Sequence, residues 1–173
     1  MQDQKTGYVA LTFAEDVKQR IIQWSKQFDE SFFSAVVDGK TEGGNVTNKL
    51  HLTLFYGFNE EQFDKAELLG FLTGLKLDPL SIEGVGTFPV PQYNAKVLFL
   101  RVKDDGKLKE AHEKLKTYPF FEEYQKYGFT PHITIGFVRD TFDESSITYD
   151  GPSTLPVANV VYYSKGDREG FED

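Results

Sequence analysis

Cysteine is absent from this 173-residue chain, and histidine occurs only three times. Without cysteine there is no disulfide, no thiolate zinc site and no cysteine nucleophile, although the redox compartment stays open. No apolar run approaches the roughly 20 residues that a membrane-crossing helix needs. Met1–Thr6 is polar and runs straight into a strand-like segment, so no secretory leader is read there. A cytoplasmic location without a membrane partner is therefore expected. Nor does positive charge prevail, because 19 Lys and Arg face 27 Asp and Glu, a net −8. A protein that grips many phosphates of a duplex carries a basic surface. Duplex nucleic acid is thus not an expected partner, whereas a small phosphorylated ligand needs only one or two fixed cations.

What the chain does have is a repeat. His51-Leu52-Thr53-Leu54 returns as His132-Ile133-Thr134-Ile135, about half a chain further on. Alternate residues of a strand share a face. Each copy thus sets an imidazole and a hydroxyl on one face and two aliphatic side chains on the other. Two such strands can gather two imidazoles and two hydroxyls around one small anion.

The surroundings repeat as well. Strands are expected at Tyr8–Phe13, Lys49–Tyr56, Leu80–Phe88, Lys96–Val102, Thr130–Val138 and Val157–Ser164. Val17, Ile21, Trp24 and Phe28 form one helical stripe, which predicts a helix over Asp16–Phe28. Further helices are expected over Glu60–Leu75 and Lys107–Lys116, and a long loop over Asp29–Asn48. Strand, helix and His-x-Thr strand therefore occur in that order twice. The pattern predicts an α+β fold, with two antiparallel sheets lining a central cleft and helices outside. At 39% apolar residues the chain can bury one core, so a single domain over residues 1–173 is expected, as a monomer.

The two motifs, His51-Leu52-Thr53-Leu54 and Pro131-His132-Ile133-Thr134-Ile135-Gly136, resemble the paired signature of the two-histidine (2H) phosphoesterase superfamily. The resemblance extends over roughly Tyr8 to Ser164. It implies a duplicated, bilobal fold of two pseudo-symmetric lobes and an activity without metal or other cofactor. It implies substrates such as 2′,3′-cyclic phosphates, 2′–5′ or 3′–5′ linkages in RNA, or cyclic nucleotide messengers. It makes His51 and His132 the acid–base pair and Thr53 and Thr134 the ligands of the phosphate oxygens.

The chemistry suits those residues. In-line displacement at phosphorus needs a base and an acid on opposite sides. An imidazole titrates near ~6.5, so one can be neutral while the other is protonated. Which histidine is the base depends on how the substrate lies. A catalytic zinc takes three protein ligands as a rule, and the motifs offer two histidines, so no metal is expected.

Three further residues are candidates for substrate binding. Arg101 ends the alternation Val97, Phe99, Arg101, whose counterparts in the first half are Tyr8, Ala10 and Thr12. Arg101 is either a cation for phosphate or one half of a salt bridge at a strand end. Tyr8 and Phe99 either stack on a nucleobase or fill the core. His112 falls on the apolar side of its helix and is read as structural, away from both motif strands. The expected function is a metal-independent phosphodiesterase acting on a small nucleotide or short oligonucleotide. The rivals are a non-catalytic nucleotide-binding module and an RNA end-processing exonuclease or ligase-like enzyme.

Overall fold

Apolar spacing decides most of the architecture. The structure is a computed structural model that describes residues 6–26, 50–91, 94–125 and 128–164. It begins with β1 (Thr6–Thr12), α1 (Glu15–Ser25), β2 (Leu52–Asn59) and α2 (Lys65–Thr73). There follow β3 (Leu80–Val90), β4 (Ala95–Val102), α3 (Lys107–Leu115) and β5 (His132–Arg139). Two short strands, β6 (Thr154–Leu155) and β7 (Asn159–Ser164), complete it. Phe28, Tyr93, the Asp29–Asn48 loop and the acidic tail lie outside the described residues. No helix among the described residues is long and apolar enough to cross a membrane.

Local chemistry sets the helix boundaries. The α2 helix is shorter than the expected Glu60–Leu75. Asp64 accepts a hydrogen bond from the Ala66 amide at 2.9 Å and so caps the helix there, leaving Glu60–Gln62 as a separate 3₁₀ turn. At α3, Gly106 takes φ 104°, a left-handed conformation that suits glycine, while Asp104 accepts from its amide at 2.9 Å. At α1, Glu15 and Asp16 lie in the first turn, where negative charge meets the positive end of the helix dipole.

The strands form one antiparallel sheet of seven, in the order β6-β3-β4-β5-β2-β1-β7. This corrects the expectation of two sheets. The halves merge where Leu52 pairs with Ile133, the one residue pair in the β2–β5 register. Alternation in a sequence assigns faces, not lateral neighbours, so it could not show that junction. A row of paired residues crosses six strands: Val85, Leu100, Ile133, Leu52, Leu11 and Val160. Its four middle members are fully buried. They join one core cluster with Val17, Ile21 and Trp24 of α1, Leu68 and Leu72 of α2, and Leu108, Ala111 and Leu115 of α3. The helices therefore cover one face of the sheet.

Both motif strands break strict alternation at the same place. In β2 the register passes from Ala10↔Thr53 to Val9↔Phe55 and skips Leu54. In β5 it passes from Phe99↔Thr134 to Leu98↔Gly136 and skips Ile135. Each motif thus carries a β-bulge at the residue after its threonine. Bulges increase twist and re-aim side chains, and they gather next to functional sites.

Candidate active site

The buried Leu52–Ile133 pair fixes where the motif side chains go. Because these two residues point into the core, the residues on either side of them turn to the opposite face. Those residues are His51, Thr53, His132 and Thr134, all half-buried. Counted outward from the Leu52–Ile133 pair in antiparallel sense, Thr53 leaves on the His132 side and His51 on the Thr134 side, which makes the two histidines diagonal positions about that pair. Diagonal positions across an antiparallel pair stand about 7–8 Å apart, a span that one phosphate can bridge. The ladder of β2 begins at Leu52, so His51 stands at the very mouth of its strand.

His132 is the better defined of the two. Its Nδ1 lies 2.8 Å from the Thr130 carbonyl oxygen. A carbonyl only accepts, so Nδ1 carries the proton and Nε2 presents its lone pair. The ring stands edge-on to Phe88 at 5.3 Å and leans on Phe99 at 5.2 Å. Burial in this setting lowers its pKa, against a smaller opposite effect of the Thr130 carbonyl. Burial thus favours the neutral form of the His132 ring.

Arg101 pairs directly with His132 across β4 and β5, and Phe99 with Thr134. Among the described residues no salt bridge involves Arg101. Its side chain is exposed, with its guanidinium carbon 6.0 Å from the Phe99 ring centre. The opposing strand makes room for both through Gly86. A Cβ there would stand 2.6 Å from an Arg101 terminal nitrogen and 2.7 Å from a Phe99 ring carbon.

The expected base-stacking residues stand on this face but offer a ligand little surface. Tyr8 is 7% exposed, between Tyr56 at 5.4 Å and Tyr163 at 5.3 Å, and Phe99 is 3% exposed beneath the stacked Phe88. Among the described residues the exposed rings are Tyr124, at 40%, and Phe88, at 36%. Tyr124 meets Tyr56 edge-on at 5.1 Å, in a segment tied to β2 by Gln125 donating to the Tyr56 carbonyl at 2.7 Å. Sequence reading missed both rings. Tyr124 lies in a connection without periodicity, and Phe88 reaches the site only through pairing of β3 with β4.

His112 is buried on the apolar side of α3, yet it does not lie away from the motif strands. Its Nδ1 stands 2.8 Å from the Leu54 carbonyl in β2. Among the described residues no three His, Asp or Glu side chains gather as metal ligands would. A cavity of about 740 Å³ opens elsewhere, between α2 and β7, lined by Leu69, Leu72, Leu77 and Val160 among others.

Comparison with known proteins points the same way as the geometry. The family model described as the 2′-5′ RNA ligase superfamily matches residues 45–150. A Halalkalibacterium halodurans protein named "Putative phosphoesterase BH1439" is 36% identical over 61 residues, which is 31% of this chain and 35% of that protein. The match thus spans about a third of that relative's length. A crystal structure of a phosphoesterase aligns with a TM-score of 0.55 at 19% identity, over 94% of this chain and 88% of that one. E. coli LigT complexed with phosphate aligns at 0.52 with 19% identity, and LigT complexed with 3′-AMP at 0.53 with 18%. Both cover 94% of this chain and 88% of theirs. At such identities the likeness shows a shared fold.

Proposed function

The chain belongs to the 2′-5′ RNA ligase superfamily, and from that premise we propose that it is a phosphodiesterase that cleaves a small nucleotide phosphodiester by paired histidine catalysis. The preferred substrates are a 2′,3′-cyclic phosphate and a cyclic or short oligonucleotide. One observation carries the reading: both His-x-Thr pairs emerge on the same face, side by side, from a single buried junction. Neither half of the sheet holds both histidines, so the proposed chemistry requires the two halves to act as one domain.

In this mechanism His132 is the base. Its Nε2 takes a proton from water while the water oxygen attacks phosphorus. His51, on the diagonal, gives a proton to the leaving sugar oxygen as the P–O bond breaks. The product is a phosphomonoester and a hydroxyl, and exchange with solvent resets both rings. Thr53 and Thr134 donate to the non-bridging oxygens, where charge builds, and their branched side chains hold the hydroxyls in place. Arg101, beside His132, supplies the cation for a phosphate. A base leaving the phosphate meets the Tyr56–Tyr124 end of the face, or Phe88 at the other. That solved LigT structures hold phosphate and 3′-AMP supports a ligand of this size.

The deciding experiment incubates the protein with 2′,3′-cyclic nucleotides and with 2′–5′ and 3′–5′ dinucleotides, with and without EDTA, and separates the products. Turnover of at least one of these, undiminished by EDTA and abolished in both H51A and H132A, supports the proposal. Binding without any turnover makes the protein a nucleotide-binding module instead.

A further inference from the structure

The third histidine has work to do beneath the site. The bulge in β2 leaves Leu54 out of the β1 ladder, so its carbonyl needs another donor. His112 on α3 provides it, with Nδ1 at 2.8 Å from the Leu54 oxygen. The imidazole is 5% exposed and held on both sides. It stacks face to face on Phe129 at 4.3 Å and 13°, and leans on Phe55 at 5.1 Å. Phe55 follows the bulge of the first motif. Phe129 precedes Thr130, the residue whose carbonyl orients His132. One buried ring thus touches the strand of the first motif and the lead-in of the second.

The corresponding place in the first half shows that a core does not need histidine there. The stripe Val17, Ile21, Trp24 of α1 repeats the spacing of Leu108, His112, Leu115 in α3, and it sets an isoleucine where His112 stands. A buried imidazole costs more to desolvate than isoleucine, so its hydrogen bond should offset that cost.

We propose that His112 is a positioning residue of the catalytic centre: by donating from Nδ1 to the Leu54 carbonyl it fixes the bulge that aims Thr53 and His51 at the phosphate shared with His132 and Thr134. The part of this concerning catalysis rests on the phosphodiesterase reading; the part concerning the bulge does not. Burial lowers the His112 pKa, which favours the neutral ring that donates from Nδ1 to the Leu54 carbonyl.

The test uses three variants of the full chain. His112→Phe keeps a stacking ring and removes the donor. His112→Asn loses the ring but keeps an N–H near the Nδ1 position. His112→Gln moves the donor outward, to the Nε2 position. For each, Tm, kcat and KM are measured on the best substrate found for the wild type, together with amide hydrogen exchange over residues 52–56. His112→Phe should lose about tenfold or more in kcat with KM within twofold, and should exchange faster over the bulge. His112→Asn should recover most of the kcat and the protection, although its Tm falls at least as far as that of His112→Phe. His112→Gln should recover neither. If kcat simply follows Tm across the three, or if His112→Phe keeps kcat within twofold and protection unchanged, the proposal is overturned. Should the wild type cleave none of the substrates, the phosphodiesterase reading fails by itself. Exchange over the bulge then still decides whether His112 holds Leu54.

Discussion

Leu52 faces Ile133 across the middle of the sheet, both fully buried, and the register between β2 and β5 consists of that pair. Two aliphatic side chains therefore align two pairs of polar ones. Their removal should cost more than a core methyl usually does. Leu52→Ala is expected to lower stability by about 2–5 kcal/mol, as for other large-to-small core changes. Combined with Ile133→Ala it should couple by about 0.5–3 kcal/mol, since the two sites touch. Urea unfolding of the singles and the double measures this; strict additivity would mean that the junction does not act as one unit.

His51→Ala and His132→Ala should each lower turnover by about 10²–10⁴-fold while the fold survives, because in the proposed mechanism each removes one proton-transfer group, and both side chains are only half-buried. Thr53→Val and Thr134→Val keep the branched shape and remove the hydroxyl. A loss of about 10²–10³-fold in kcat is expected for each, the usual cost of one oxyanion donor. Circular dichroism alongside single-substrate kinetics checks both halves of the expectation. A histidine variant that keeps more than a tenth of wild-type turnover would remove that residue from the acid–base pair.

Burial lowers the pKa of both His132 and His112 in the folded chain. In the unfolded chain they titrate near ~6.5 and take up protons first as pH falls. Their contribution to stability is therefore complete above about pH 6.5 and declines below it. Urea midpoints at pH 7.5, 6.5 and 5.5 should fall in that order, and His112→Asn should weaken the trend. If His132 is the base, the acid limb of kcat/KM also lies below ~6.5, where the ring finally protonates. An acid limb clearly above neutrality would transfer the role of base to another group.

Gly86 leaves room for both Phe99 and Arg101. Gly86→Ala should displace the two, because its Cβ would overlap the Phe99 ring and an Arg101 nitrogen. The Arg101 end is flexible and can yield; the Phe99 ring, at 3% exposure, has little space. A stability loss of about 1–3 kcal/mol is expected from the overpacking. Titration with inorganic phosphate should show weaker binding, as it should for Arg101→Ala. Unchanged phosphate affinity in both would leave Arg101 without a role at the anion.

Among the described residues Tyr124 offers the most exposed aromatic ring on the candidate face. Tyr124→Ala should raise KM for nucleotides by the worth of one stacking contact, about 1–3 kcal/mol. KM for a phosphodiester without a base should stay as it was. Parallel kinetics on the two kinds of substrate make the comparison, and equal effects on both would place the base elsewhere.

Much of this could be read from the chain alone. The recurrence of His-x-Thr on alternating strands identified all four motif residues, because period-two patterning depends only on the backbone of one strand. The stripes of α1 and α3 were likewise visible, since helical spacing is local. What the chain withheld depends on neighbours distant in sequence. The union of the halves into one sheet rests on a single backbone pairing, Leu52 with Ile133. The bulges at Leu54 and Ile135 arise from register against β1 and β4. The exposure of Tyr124 and Phe88, the burial of Tyr8 and Phe99, and the reach of His112 to Leu54 follow from packing between elements. Within an unbroken stretch of strand or helix the residue order tells which side chains share a face, because that follows from local geometry. Only the folded chain decides which faces meet and what covers them, because those contacts join residues half a chain apart.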